Sequence, residues 1–144
     1  MAAADNFSEK DRLIIVSSIE EAEMATSGEI RLFVEDDCGE HVLDRAAFMF
    51  FQLGMEKTKD RNSVLFYLAV DSKQFAILGD KGINEKVGAD FWHEIKATMQ
   101  NHFTVGDFIT GLVKGIKMTG EALSAHFPYQ NDDKSELNND IVFG

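Results

Sequence analysis

Residues Val64 to Val70 form a nearly unbroken apolar run, flanked by polar clusters and short enough only for a strand. Lys59-Asp60-Arg61-Asn62-Ser63 precedes it, and Asp71-Ser72-Lys73 follows as a tight turn. A second apolar stretch from Gln74 to Leu78 runs back and ends in Gly79-Asp80-Lys81-Gly82. A central strand apolar on both sides must be covered on both faces. The turn makes these two strands an antiparallel hairpin. Asp60, Arg61 and Asn62 then stand at the same sheet edge as Asp80 and Lys81.

The segments before the hairpin extend the sheet. Ser8 is a good N-cap, Asp11 suits the positive end of a helix, and Ile15, Ile19 and Ala22 recur at helical spacing. That helix is expected to run to about Thr26, where Ser27-Gly28 stops it. Glu29 to Glu35 alternates as a strand, with Ile30, Leu32 and Val34 on one face. After the acidic loop Glu35 to Glu40, a helix over 42–55 carries Phe48, Phe50, Phe51 and Leu53. It is apolar around much of its circumference, which predicts deep burial. Strand, helix, strand makes a right-handed crossover, so the strands at 29–35 and 64–70 should be parallel.

The remainder reads as helical. Asp90 is expected to cap a helix bearing Phe91, Trp92, Ile95 and Met99, which Gly106 breaks. Asp107 should cap a last helix in which Gly111, Gly115 and Gly120 form a smooth stripe for close approach. Pro128 closes a domain spanning 8–128. The tail 129–144 is polar until Ile141-Val142-Phe143, where it either adds an edge strand or dangles.

Composition narrows the function classes. The 144 residues suit one domain, and a 44% hydrophobic content supports a core. A net charge of -11 repels nucleic acid and anionic lipid, and favours divalent cations and basic partners. Neither nucleic acid nor membrane is expected as a partner. Cys38 is the only cysteine, so an internal disulfide and a CxxC site are excluded, which suits a reducing compartment. The start Met1-Ala2-Ala3-Ala4-Asp5-Asn6 has neither the basic opening nor the apolar run of a signal peptide. A cytoplasmic protein is the expectation. Four histidines show no zinc-ligand spacing, and there is no GxSxG elbow or P-loop. The carboxylates around Cys38 oppose a thiolate nucleophile.

The parallel crossover gathers Glu29, Asp60, Asn62 and Asp80 at one edge of the sheet. These are hard oxygen donors, the type that Ca2+ or Mg2+ takes, and the glycines let backbone approach a ligand. Arg61 and Lys81 stand beside them, and a metal flanked by cationic side chains is how a phosphoryl group is held. The same residues also read as ordinary turn and cap residues. The opposite edge holds Glu35, Asp36, Asp37 and the Asp71 turn.

Four segments together resemble the TPM domain family, the thylakoid-lumen-type phosphatases and their bacterial relatives. They are Ser27 to Val34, Lys59 to Leu65, Gly79 to Ile83, and Gly106-Asp107-Phe108. The resemblance implies a three-layer α/β/α sandwich around a small mixed sheet, a divalent-metal site at the sheet edge, and weak acid phosphatase activity in some relatives. Asp60 and Asn62 match the family's acidic-polar pair before the central strand. Asp80 matches the polar residue between its two glycines, and Asp90 its acidic residue shortly after. With Glu29 added from its place at the sheet edge alone, the metal set is Glu29, Asp60, Asn62, Asp80 and Asp90, with Arg61 and Asp80 in catalytic roles. Ser63 and Asp80-Lys81 depart from the commoner glycine and aromatic residues. With no leader, anchor or glycine-rich tail, the chain resembles a soluble cytoplasmic branch. Two functions follow as expectations: a metal-dependent phosphomonoesterase, or a non-catalytic, cation-stabilised module that binds a protein partner.

Overall fold

Alternation along the strands places one set of side chains under each covering layer. The computed structural model describes residues 7–129 and 139–144. Its elements are α1 (Glu9–Glu23), β1 (Glu29–Glu35), α2 (Val42–Gln52), a 3-10 turn (Met55–Lys57), β2 (Ser63–Ala69), β3 (Gln74–Gly79), α3 (Lys81–Val87), α4 (Ala89–Thr104), α5 (Phe108–His126) and β4 (Val142–Phe143). The sheet order is β3-β2-β1-β4. β1 and β2 are parallel, in register from Glu29 opposite Ser63 to Glu35 opposite Ala69. β2 and β3 are antiparallel, from Val64 opposite Gly79 to Ala69 opposite Gln74. β4 runs parallel to β1, with Phe33 opposite Val142. This is the mixed α/β sandwich that the hairpin and crossover predict.

Ile30, Leu32, Val34, Val64, Phe66 and Leu68 pack with Ile19, Met99 and Ile116 of the helices into the larger core. The other face of β1 and β2, with Phe33, Leu65 and Tyr67, meets Val42, Ala46 and Phe50 of α2. Phe33 and Tyr67 stack at 5.9 Å across the β1/β2 pair. The α5 glycines allow close packing: a Cβ at Gly115 would lie 2.5 Å from Met99 Sδ, and one at Gly120 would lie 2.7 Å from Ala22 Cβ.

Ser8 and Asp11 form a reciprocal capping box, with 3.0 and 3.1 Å bonds. α1 ends at Glu23, three residues short of Thr26, because Thr26 bridges to Pro128. The Thr26 hydroxyl donates to the Phe127 carbonyl, and Ser27 N–H donates to the same oxygen at 3.0 Å.

Three expectations need correction. α2 is not buried all round: Phe50 faces the sheet, but Phe48 is 50% and Phe51 61% exposed. A lone helix on a sheet face can bury only one stripe, whatever its composition. The polar segment after β3 is not merely a turn. It forms α3, capped by Asp80, whose carboxylate accepts from Lys81 N–H at 2.8 Å. Finally, α4 is capped by Gly88, so Asp90 lies in its first turn, where a carboxylate still favours the helix dipole. Among the described residues, no helix is long and apolar enough to cross a membrane.

Candidate functional site

Parallel pairing puts the starts of β1 and β2 side by side, and antiparallel pairing brings the end of β3 to the same rim. Asp80 N–H donates to the Ser63 carbonyl at 2.9 Å, which fixes the β3 end beside the β2 start. Gly82 N–H then donates to the Arg61 carbonyl at 2.8 Å. A Cβ at Gly82 would lie 2.2 Å from the Asp60 carbonyl oxygen and 2.5 Å from that of Arg61. Only glycine permits this approach.

Arg61 and Asp80 form the closest side-chain contact of the rim. The guanidinium donates from Nε to Asp80 Oδ2 at 2.6 Å and from Nη2 to Oδ1 at 2.8 Å. This bidentate fork is the strong form of a carboxylate-guanidinium pair. Asp80 is 6% exposed, whereas Arg61 reaches solvent and takes a left-handed backbone, φ +52°. The hydrogen bonds from its guanidinium to Asp80 raise its pKa further.

The other predicted residues differ in setting. Asn62, 2% exposed, donates from Nδ2 to Ser27 Oγ at 3.2 Å and so links the β2 start to the β1 start. Glu29 is likewise 2% exposed, in register with Ser63. Asp60 shares the rim through its backbone and is exposed. Asp90 is exposed in the first turn of α4. Ser63 Oγ donates to the Met55 carbonyl at 2.7 Å, inside the core.

The helical spacing of α1 puts Glu23 with Glu20 and Glu21 on the water-facing side, but the structure half-buries it where α1 ends against the start of β1. It stands in the last turn of α1, and its Oε2 accepts from Ile30 N–H at 2.8 Å. Burial pushes its carboxyl up to about 7, against the Ile30 hydrogen bond and with help from the charges of Glu29 and Glu20. Its only sequence signal is proximity to the helix stop before β1. Two neighbouring carboxylates thus lie behind the rim.

A TPM domain profile matches residues 1–122. The chain belongs to the TPM domain family. No match was found among curated proteins. Among solved structures, this TPM domain is similar to the BA42 protein from the psychrophilic bacterium Bizionia argentinensis. Identity is 44%, with 96% of this chain and 95% of that chain covered, and the TM-score is 0.90. The N-terminal domain of a P. gingivalis protein shares the fold at TM-score 0.69 and 18% identity, covering 87% and 83% of the two chains. The N-terminal domain of the cg2496 protein from Corynebacterium glutamicum does so at 0.65 and 12%, covering 93% and 81%.

The donor set of this TPM domain has the right chemistry for a hard cation: carboxylates, an amide and two clustered carbonyls. Among the described residues, no three His, Cys, Asp or Glu are preassembled as a cage. Asp80 is engaged by Arg61, so a cation there competes with the guanidinium. The opposite rim is tied up internally. Glu35 receives Arg45 at 2.8 and 3.0 Å and the Tyr67 hydroxyl. Burial opposes its ionisation most strongly, but these donors together outweigh burial and hold its pKa below the ordinary value. Asp37 accepts from Ser72 Oγ at 2.5 Å and Gly39 N–H at 3.1 Å, and the Ser72 bond lowers its pKa.

Proposed function

We propose that this TPM domain binds a divalent cation, Ca2+ or Mg2+, at the rim made by the starts of β1 and β2 and the end of β3. Glu29, Asp60, Asn62 and Asp80 would hold it, and Asp90 is the further acidic residue assigned to the set. The observation that carries the reading is the Gly82 contact, which packs the Asp80 turn against the Asp60 and Arg61 carbonyls. A bound cation would polarise a phosphoryl oxygen and lower the pKa of its water. Arg61 presents a solvent-reaching guanidinium suited to phosphoryl oxygens, oriented by Asp80.

Binding is favoured over turnover, because neither rim serine is poised as a nucleophile. Ser63 Oγ is committed to the Met55 carbonyl, and Ser27 Oγ accepts from Asn62. Weak metal-dependent phosphatase activity is therefore the secondary reading. The exposed Phe48 and Phe51 favour the alternative of a cation-stabilised module that meets a protein partner. We propose a soluble, cytoplasmic branch for the chain on its single cysteine, which suits a reducing compartment.

The test is a CaCl2 and MgCl2 titration of 15N-labelled protein, with p-nitrophenyl phosphate turnover measured alongside. Saturable shifts at residues 29, 60–63 and 79–82 are expected, and Asp80→Asn, which keeps a capping oxygen, should weaken binding at least about tenfold. Shifts confined to residues 35–40 and 71 would move the site to the other rim and refute the proposal. Turnover that survives Asp80→Asn unchanged would remove catalysis from this rim.

A further inference from the structure

A cavity lies at the far end of the sheet from the rim. It occupies about 520 Å³, within the ~300–1,000 Å³ of small-ligand sites. The C-terminal end of β2 (Leu68, Ala69), Val70 just beyond it and the β3 start form one wall. The α4-α5 corner, with Phe103 and Phe108, forms another. Phe103 is packed edge-on to Phe75 at 4.8 Å and lies 5.1 Å from Phe108, so the aromatic wall is built by mutual contact. Open α/β sheets bind ligands beyond the carboxyl ends of their parallel strands, and this cavity is at that end.

Its charge is opposite to that of the molecule. The chain has 25 acidic and 14 basic residues, yet Lys73 is the one charged side chain among the described lining residues. Among the described residues, no hydrogen bond or ion pair engages the Lys73 ammonium. Lys96 adds a second cation nearby, its Nζ 5.6 Å from the Phe75 ring. Asp107, at the same corner, is turned instead to Thr110 N–H and His102. Lys73 also stands at φ +53° in the hairpin turn, which sets its position relative to the apolar walls.

We propose that this cavity binds a small amphiphile with one carboxylate, a medium-chain fatty acid, independently of any cation at the rim. The carboxylate pairs with Lys73, and the alkyl chain lies against Leu68, Phe75, Phe103 and Phe108. An apolar body buried beside a single unpaired cation satisfies both the aromatic wall and the ammonium.

Sodium decanoate and its neutral counterpart 1-decanol serve as probes, each titrated into the 15N-labelled full chain. Saturable shifts at residues 68–75 and 100–108 are expected with both. Lys73→Asn removes the charge with a residue at home in the left-handed region, and should weaken decanoate about tenfold while sparing decanol. Gln100→Trp, at an exposed α4 position lining the cavity, should abolish both without lowering the melting temperature. Equal decanoate affinity in wild type and Lys73→Asn would overturn the proposal. So would shifts centred on Phe48 and Phe51, or shifts that do not saturate.

Discussion

Replacing Gly82 by alanine sets two effects of known sign against each other. Gly82 is the second residue of α3, where alanine would ordinarily stabilise by about 1 kcal/mol through helix propensity. Here the added Cβ would meet the Asp60 and Arg61 carbonyl oxygens at 2.2 and 2.5 Å, and the Arg61 carbonyl carbon at 2.9 Å. A carbon ordinarily approaches a carbonyl oxygen no nearer than about 3.3 Å, so the 60–61 backbone must withdraw by roughly 1 Å. All three atoms are main chain, and Arg61 is already in the left-handed region, so no side chain can turn aside. Overpacking of this kind costs about 1–3 kcal/mol. The strained Gly82–Arg61 hydrogen bond adds about 1 kcal/mol. The net effect is a loss of about 1–3 kcal/mol after the propensity gain, or roughly 3–9 °C in Tm for a chain of this size. Differential scanning calorimetry at pH 7 measures it. Gly28→Ala is the comparison, because the three atoms nearest its Cβ all belong to the Leu123 side chain, the first at 2.7 Å, and it should cost less. An unchanged or higher Tm for Gly82→Ala would show that the 60–61 backbone yields freely, and the close approach would not define the rim.

Glu23→Gln should stabilise the domain in a pH-dependent way. The folded pKa of about 7 lies above the ordinary 4.5, so the Glu23 contribution is intact below pH 4.5 and is lost as pH rises through 7. Melting curves from pH 4 to 8.5 should show the variant gaining on wild type by up to about 3 kcal/mol across that window, and a constant offset would refute the assignment. Glu35→Gln removes the charge that Arg45 addresses but keeps one accepting oxygen, and should cost about 1–2 kcal/mol in urea unfolding at pH 7. The Glu35 pKa is lowered, so that difference should shrink in acid, as pH falls through the folded value. Phe51→Ser should leave stability within about 0.5 kcal/mol, since the ring is exposed; a large loss in a thermal melt would mean that α2 buries it after all.

Periodicity and turn chemistry were enough for much of this TPM domain. The apolar run at 64–70, the 71–73 turn and the alternation of 29–35 dictate a mixed sheet, because a fully apolar strand must be paired and covered on both faces. The meeting of Asp60, Asn62 and Asp80 at one rim follows from strand direction alone, and strand direction is legible once a helix intervenes between two strands. Several features were decided only by packing in three dimensions. Whether Phe48 or Phe50 faces the sheet depends on the rotation at which α2 docks, and an apolar helix has no strong preference of its own. α3 is only seven residues long, too short to declare itself by local propensity, and is held by the Asp80 cap and the Gly82 contact. The raised pKa of Glu23 and the Arg61–Asp80 fork arise between residues distant in sequence, and burial and charge proximity are properties of the folded chain alone.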